Sequence, residues 1–254
     1  MPDNHYYGCC ACIGAAGIGL VPKLQLVRSK DGLGLNLFVP GTVCTRTPAG
    51  QQITFTLTTD YPAEGNVGIR LELAEPEEFT LRVRIPGWSE KTGLSVCGEA
   101  RQAQPGYVQL RRLWHGGDTL TLSLDMTVRA FRPAPYGQQV LMNKVIWGHN
   151  YVIPTFDRED PMAARHIALG RGPLMLAQDN RLGYSVDDPI DVAVNSDGSV
   201  DARLPERDSA PFPHILEMQI PLADGSWQTL TDYASAGKLW TQESKMAVWL
   251  LTRD

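Results

Sequence analysis

The feature that most constrains this chain is a period of two in its apolar residues. Ile53, Phe55 and Leu57 alternate with Thr54, Thr56 and Thr58, and Val67, Ile69, Leu71 and Leu73 alternate with Gly68, Arg70 and Glu72. The same rhythm runs through Leu33, Leu35, Leu37 and Val39, through Phe79, Leu81, Val83 and Ile85, and through Leu120, Leu122, Leu124, Met126 and Val128. Successive side chains of an extended strand point to opposite faces, so each segment predicts a half-buried antiparallel strand with one apolar face. A helix face needs spacings of three and four, which these segments lack. With 24 glycines and 18 prolines, about a sixth of the chain is turn-forming, against roughly 12% on average. Many short strands joined by tight turns predict an all-β fold of sandwich-like modules.

Turn chemistry divides the chain. Lys30-Asp31-Gly32 stands between an apolar Leu24/Leu26/Val27 run and the Leu33 strand; Asp-Gly readily takes the positive φ angles of a tight hairpin, which is predicted there. Arg132-Pro133-Ala134-Pro135-Tyr136-Gly137 interrupts any regular element, so a boundary falls near residue 130. Residues 23–130 form a first β-sandwich module and residues 131–254 a second, with strands at Ile167-Ala168-Leu169, Leu174-Met175-Leu176, Ile215 to Ile220 and Met246 to Leu251. Pro154, Pro161, Pro189, Pro205, Pro211 and Pro213 mark loops. Residues 1–22 are the exception. Cys9 to Leu20 is short of β-branched residues and predicts a helix, although Gly14, Gly17 and Gly19 lie inside it and each costs about 1 kcal/mol against alanine. Such a helix is not stable alone, and its small residues suit close packing against a partner.

Composition excludes several functions. The net charge of -5 leaves no basic excess to gather a phosphate backbone, so nucleic acid is not an expected partner. The longest apolar run, Ile13 to Val21, is far short of the roughly 18 residues of a spanning helix, so no membrane is expected either. Five cysteines, three of them within four positions, do not read as a disulfide framework and fit a reducing compartment. Met1-Pro2-Asp3-Asn4-His5 has no basic leader, so a cytoplasmic protein is expected, and its abruptness reads as that of a piece of something longer.

Few residues offer chemistry. Cys9-Cys10-Ala11-Cys12 is the densest group of soft ligands, and three readings of it are open. The thiols are half of a zinc site, which needs about four ligands; they are buried packing residues; or one is reactive because it lies near a helix N-terminus. Cys44 and Cys97 fall on strand segments without the spacing to complete a zinc set. Of the histidines His5, His115, His149, His166 and His214, only His5 is near the cysteines. Asp157-Arg158-Glu159-Asp160, followed by Pro161, reads as a solvated loop rather than a carboxylate pair. Asn195-Ser196-Asp197-Gly198 lacks the downstream glutamate of a calcium loop and reads as a turn. Six tryptophans could stack on sugars or fill a core.

In order, these segments resemble the C-terminal part of glycoside hydrolase family 127, the β-L-arabinofuranosidase type. The likeness runs from Cys9-Cys10 through Asp31-Gly32-Leu33-Gly34-Leu35-Asn36-Leu37-Phe38, Asp60-Tyr61-Pro62 and Leu81-Arg82-Val83-Arg84-Ile85-Pro86-Gly87-Trp88. It continues through Gly106-Tyr107-Val108, Trp114, Gly117-Asp118 and Ala168-Leu169-Gly170-Arg171-Gly172-Pro173-Leu174 to Met246-Ala247-Val248-Trp249.

The resemblance implies that the helix over Cys9 to Leu20 is the remnant of an α/α toroid catalytic domain lying upstream of Met1. It implies Cys9 as nucleophile and zinc ligand and Cys10 as a second zinc ligand. The remaining glutamate and cysteine of the zinc shell would lie upstream, and no substrate-binding residue is identified. A zinc-bound thiol is deprotonated at neutral pH, so it can attack an anomeric carbon without a dedicated base. Where the family often has Pro-Pro-Asn and an arginine after its cysteine pair, this chain has Ala11, Cys12, Ile13 and Ala16. The reading that follows is the accessory β-sandwich portion of a retaining glycosidase acting on β-L-arabinofuranosides, inactive as this isolated chain, with arabinose-containing glycans as its partners. The alternative is a non-catalytic module for carbohydrate binding or assembly. A homo-oligomer is left open.

Overall fold

The computed structural model describes residues 8–133, 142–146, 149–153 and 163–253, with side chains from Cys12 to Pro133 and from Ala164 to Arg253. The chain divides into two compact units between Met126 and Thr127. Both are built of β-strands, as the alternation requires.

The first unit begins with helix α1 (Gly8–Gln25) and continues with β1 (Leu26–Arg28), β2 (Gly32–Leu35), β3 (Gly41–Arg46), β4 (Gln52–Thr59) and β5 (Asn66–Leu73). It is completed by β6 (Glu77–Ile85), β7 (Thr92–Val96), β8 (Glu99–Ala103), β9 (Gly106–Trp114) and β10 (Thr119–Ser123). Two sheets result, of order β1-β2-β6-β9 and β3-β4-β5-β10-β7-β8. Leu33, Leu35, Leu81 and Val83 from the first meet Ile53, Phe55, Ile69, Leu71 and Leu120 from the second in one core. Each such side chain contributes roughly 1.5–3 kcal/mol on full burial. Trp114 is fully buried and its indole N–H donates to the Phe79 carbonyl over 3.1 Å, so the largest side chain leaves no polar atom unpaired.

Three expectations about this unit are corrected. The Leu33 strand ends at Leu35, so Leu37 and Val39 lie beyond it, and all four of its residues are buried rather than alternating. It is antiparallel to β1 but parallel to β6, with Leu33 opposite Leu81 and Leu35 opposite Val83. Burial at every position shows that both faces of this short strand are covered, so it lacks the exposed face that alternation assumes. The β1–β2 hairpin forms, but Gly32 is not among the residues of positive φ. Its hydrogen is needed for another reason: a Cβ there would lie 1.8 Å from the Thr80 carbonyl oxygen of the parallel neighbour. Cys97 is not on a strand. Cys97 and Gly98, with φ of 49° and 89°, make the two-residue turn between β7 and β8, where two positive φ angles match the twist of the hairpin.

The second unit has β11 (Val128–Phe131), β12 (Met142–Ile146), β13 (His149–Ile153), β14 (His166–Arg171), β15 (Leu174–Asp179) and β16 (Ser199–Val200). β17 (Glu217–Pro221), β18 (Trp227–Asp232), the single turn α2 (Tyr233–Ala236), β19 (Met246–Ala247) and β20 (Leu250–Leu251) follow. The main sheet has the order β16-β11-β14-β15-β18-β17, with β20 added to β14 and β19 to β15; β12 and β13 pair with each other. Val128, which continues the Leu120 alternation in the sequence, starts a new strand and is buried in this unit's own core. The Ile215 segment begins as strand only at Glu217, and the Met246 segment splits into β19 and β20. β14 is buried at five successive positions, the pattern of a strand covered on both faces. Among the described residues no helix is long and apolar enough to cross a membrane.

Candidate functional site

Helix α1 carries the chemistry that the sequence singles out. It runs five residues further than expected, through Pro22 to Gln25, and passes directly into β1. Cys9 and Cys10 lie in its first turn; their side chains, like His5 and Asp157 to Asp160, lie outside the described residues. Cys12 is exposed and unpaired with another cysteine. The helix presents Ile13 and Ile18, 72% and 76% exposed, together with Leu20 and Leu24. A Cβ built on Gly14, Gly17 or Gly19 meets no atom within 4 Å. The tight packing expected for those glycines therefore does not occur against the described residues of this chain.

Among the described residues, α1 is tied down at its C-terminal end. The Asn36 backbone N–H donates to the Gln25 carbonyl over 2.9 Å, and the Asn36 side-chain amide donates to the Leu24 carbonyl over 3.1 Å. Gln25 is buried and its amide donates to the Val39 carbonyl over 3.0 Å. The Tyr107 hydroxyl donates to Asn36 Oδ1 over 2.8 Å. The two bonds from Asn36 satisfy carbonyls that a helix end leaves without intrahelical partners.

The remaining cysteines do not join the cluster of the sequence reading. Cys44 is on edge strand β3 and Cys97 is in the β7–β8 turn, with β4, β5 and β10 between β3 and β7. At about 4.8 Å per strand they are roughly 19 Å apart across the sheet, too far to share an ion. Among the described residues no group of three His, Cys, Asp or Glu could hold a metal. Cys9 and Cys10 have the soft donor chemistry that zinc prefers, and two thiolates would be half of its usual shell. Asn195 to Gly198 is a turn: the Gly198 N–H donates to the Asn195 carbonyl over 2.9 Å, and Ser199, by its N–H and its hydroxyl, holds the Asp197 carboxyl below its ordinary pKa.

The sequence segments that carry the resemblance do structural work. Asp31 pairs with Arg82 at 2.6 Å, joining the Asp31-Gly32 and Leu81-to-Trp88 segments across the parallel β2–β6 pair. The Arg82 guanidinium, with the Ser29 hydroxyl, brings the Asp31 carboxyl down to about 2. Tyr61 packs edge-on against Phe38, ring centres 5.9 Å apart. Gly172 makes the β14–β15 turn with φ of 57°.

Residues 32–126 match the family model described as β-L-arabinofuranosidase, GH127 middle domain. This segment is a GH127 middle domain. No curated protein matches the chain in sequence. Among solved structures, one described as a glycoside hydrolase shares its fold with a TM-score of 0.67 at 20% identity, covering 98% of this chain and 40% of that one. A GH127 β-L-arabinofuranosidase from Geobacillus stearothermophilus T6 gives 0.63 at 21% identity over 97% of this chain and 38% of its own. A GH127 β-arabinofuranosidase gives 0.64 at 17% over 97% and 39%. The chain with this GH127 middle domain thus spans about two fifths of the length of the structures it matches, and the likeness extends over both β units as fold.

No substrate-binding residue was legible in the sequence. The structure brings Gln178 and Gln228, fifty residues apart, onto the wall of one cavity with Trp227. No local motif could have signalled a juxtaposition made by the β15–β18 pairing.

Proposed function

We propose that this chain is the β-sandwich portion of a retaining glycosidase acting on β-L-arabinofuranosides, and that α1 delivers Cys9 to an active site completed by helices outside these 254 residues. One observation carries the reading: α1, fused to a GH127 middle domain, exposes Ile13, Ile18, Leu20 and Leu24 along a length where nothing described covers them. Exposed apolar surface of this kind marks an interface, and the uncrowded glycines allow a partner helix to approach closely.

In this reading Cys9 is the nucleophile. Its sulfur attacks the anomeric carbon as the aglycone leaves, and water then displaces the sulfur, so two inversions return the original configuration. Cys9 and Cys10 would hold two positions of a zinc ion, which when bound would keep its thiol ligands ionised at neutral pH. The first β unit anchors the C-terminal end of α1 through Asn36 and so fixes the direction in which the cysteine-bearing end projects.

The test uses this chain assembled with its helical partner domain and an aryl β-L-arabinofuranoside. Cys9→Ser should abolish turnover, because a hydroxyl does not ionise at neutral pH. Cys12→Ser should leave turnover within about threefold, a small change on the scale of a lost catalytic group. Full activity of Cys9→Ser would overturn the assignment.

A further inference from the structure

Every residue of α1 from Cys12 to Leu24 is exposed, and Gln25 is the first that is buried. Ile13, Ile18, Leu20, Val21 and Leu24 are among those exposed residues, although a helix this apolar is ordinarily covered. Lys23 is the only charged side chain in α1, so no ion pair along the helix supports it. Asn36 holds it at the Leu24 and Gln25 carbonyls, both in the last turn.

The rest of the helix depends on its own stability. Gly8 to Val21 is about as long as the ~12–15 residues below which even alanine-rich helices are marginal in water. Gly8, Gly14, Gly17 and Gly19 lie within it, and glycine is the poorest helix former after proline. No atom comes within 4 Å of a Cβ built on Gly14, Gly17 or Gly19, so close packing within the described chain does not offset that loss. Pro22 stands between this stretch and the anchored turn. Its nitrogen has no hydrogen to give the Ile18 carbonyl, and its ring crowds that carbonyl. The bonds from Asn36 therefore lie on the far side of a break in the helix ladder. They set the direction in which the helix grows without forcing it to form.

We propose that α1 on the N-terminal side of Pro22 folds on assembly: in the free chain this segment is mostly coil, and it becomes a persistent helix only when an apolar surface covers it. The link to chemistry rests on the assignment of Cys9 above. Docking of the helical partner domain, rather than folding of this chain, then brings the thiol into position, and the site stays unformed until the two parts meet.

The experiment is amide hydrogen exchange on the full 254-residue chain, at a concentration where sedimentation shows a monomer. The amides from Ile13 to Leu20 should exchange within about threefold of unstructured-peptide rates, while those bonded between β4 and β5 are slowed at least ~1000-fold. Pro22→Ala restores the missing N–H and should slow the Ile13 to Leu20 amides at least about twofold, leaving β4 and β5 unchanged. In the assembly with the helical partner domain the same amides should slow at least about tenfold. Protection above about tenfold from Ile13 to Leu20 in the free monomer would overturn the proposal. So would fast exchange there in an assembly that turns over an aryl β-L-arabinofuranoside. Either result leaves the role of Cys9 standing, whereas full activity of Cys9→Ser removes that role and leaves the exchange rates as they are.

Discussion

Asn36 reaches the end of α1 twice, its backbone N–H on the Gln25 carbonyl at 2.9 Å and its side-chain amide on the Leu24 carbonyl at 3.1 Å. One residue after β2 therefore sets where a helix ends. Asn36→Ala removes the side-chain bond and also leaves the Tyr107 hydroxyl without its acceptor. The expected loss is about 1–2 kcal/mol, with faster amide exchange in the last turn of α1 and little change in the strands. Thermal melting and hydrogen exchange measure both, and Tyr107→Phe should cost less than half as much.

Gly32 should be intolerant of any side chain. Its missing Cβ would stand 1.8 Å from the Thr80 carbonyl oxygen, and main chain held in the parallel β2–β6 ladder has little room to move. Gly32→Ala should destabilise the first unit by about 3 kcal/mol or more. Gly87→Ala is the control, because a Cβ there meets no atom within 4 Å and φ is not positive. Denaturant unfolding of the two variants should separate them clearly.

Asp31 gives the first unit an acid-sensitive contact. Hydrogen bonding from Arg82, then from Ser29, lowers its carboxyl to about 2 from an ordinary 3.8. A depressed folded-state value means that the ionised form favours folding. The contribution is complete above about pH 4 and is lost as pH falls toward about 2. A carbon-detected NMR titration should place the Asp31 midpoint near 2 in the native chain and higher in Arg82→Met, though still below 3.8, because the Ser29 hydroxyl continues to donate to the carboxyl. An unmoved midpoint in the variant would show that Arg82 is not the cause.

The glycines of α1 should behave oppositely in two settings. In this chain alone, Gly14→Ala, Gly17→Ala and Gly19→Ala together should raise helicity by circular dichroism, since each gains up to about 1 kcal/mol of helix propensity and none meets an obstacle. In the assembly with its helical partner, the same methyl groups should hinder close approach and reduce activity.

The strands were legible because one buried face leaves its mark at every second residue, as Ile53, Phe55 and Leu57 show with their outward threonines. Alternation fails where both faces of a strand are covered. Leu33 and Leu35 kept the rhythm, but burial of Gly32 and Gly34 between β1 and β6 depends on a partner more than forty residues away. Val128 kept the rhythm too and belongs to another core, because a pattern cannot mark the point at which a chain leaves one sheet for the next. Gln178 and Gln228 carry no local sequence signal of burial, which the sheet alone makes visible. The helix was legible from composition, but the packing expected of its glycines was not, since a Cβ on any of the three meets no atom within 4 Å.

The proposal that α1 carries a catalytic cysteine whose site needs helices outside these residues is checked by assaying the purified 254-residue chain with an aryl β-L-arabinofuranoside, alongside its zinc content after dialysis. Cys9 and Cys10 alone leave a tetrahedral zinc short of ligands. The expected result is no detectable turnover and well under one equivalent of zinc. Turnover by this chain that disappears in Cys9→Ser would contradict the account, because it would show a complete active site within these 254 residues.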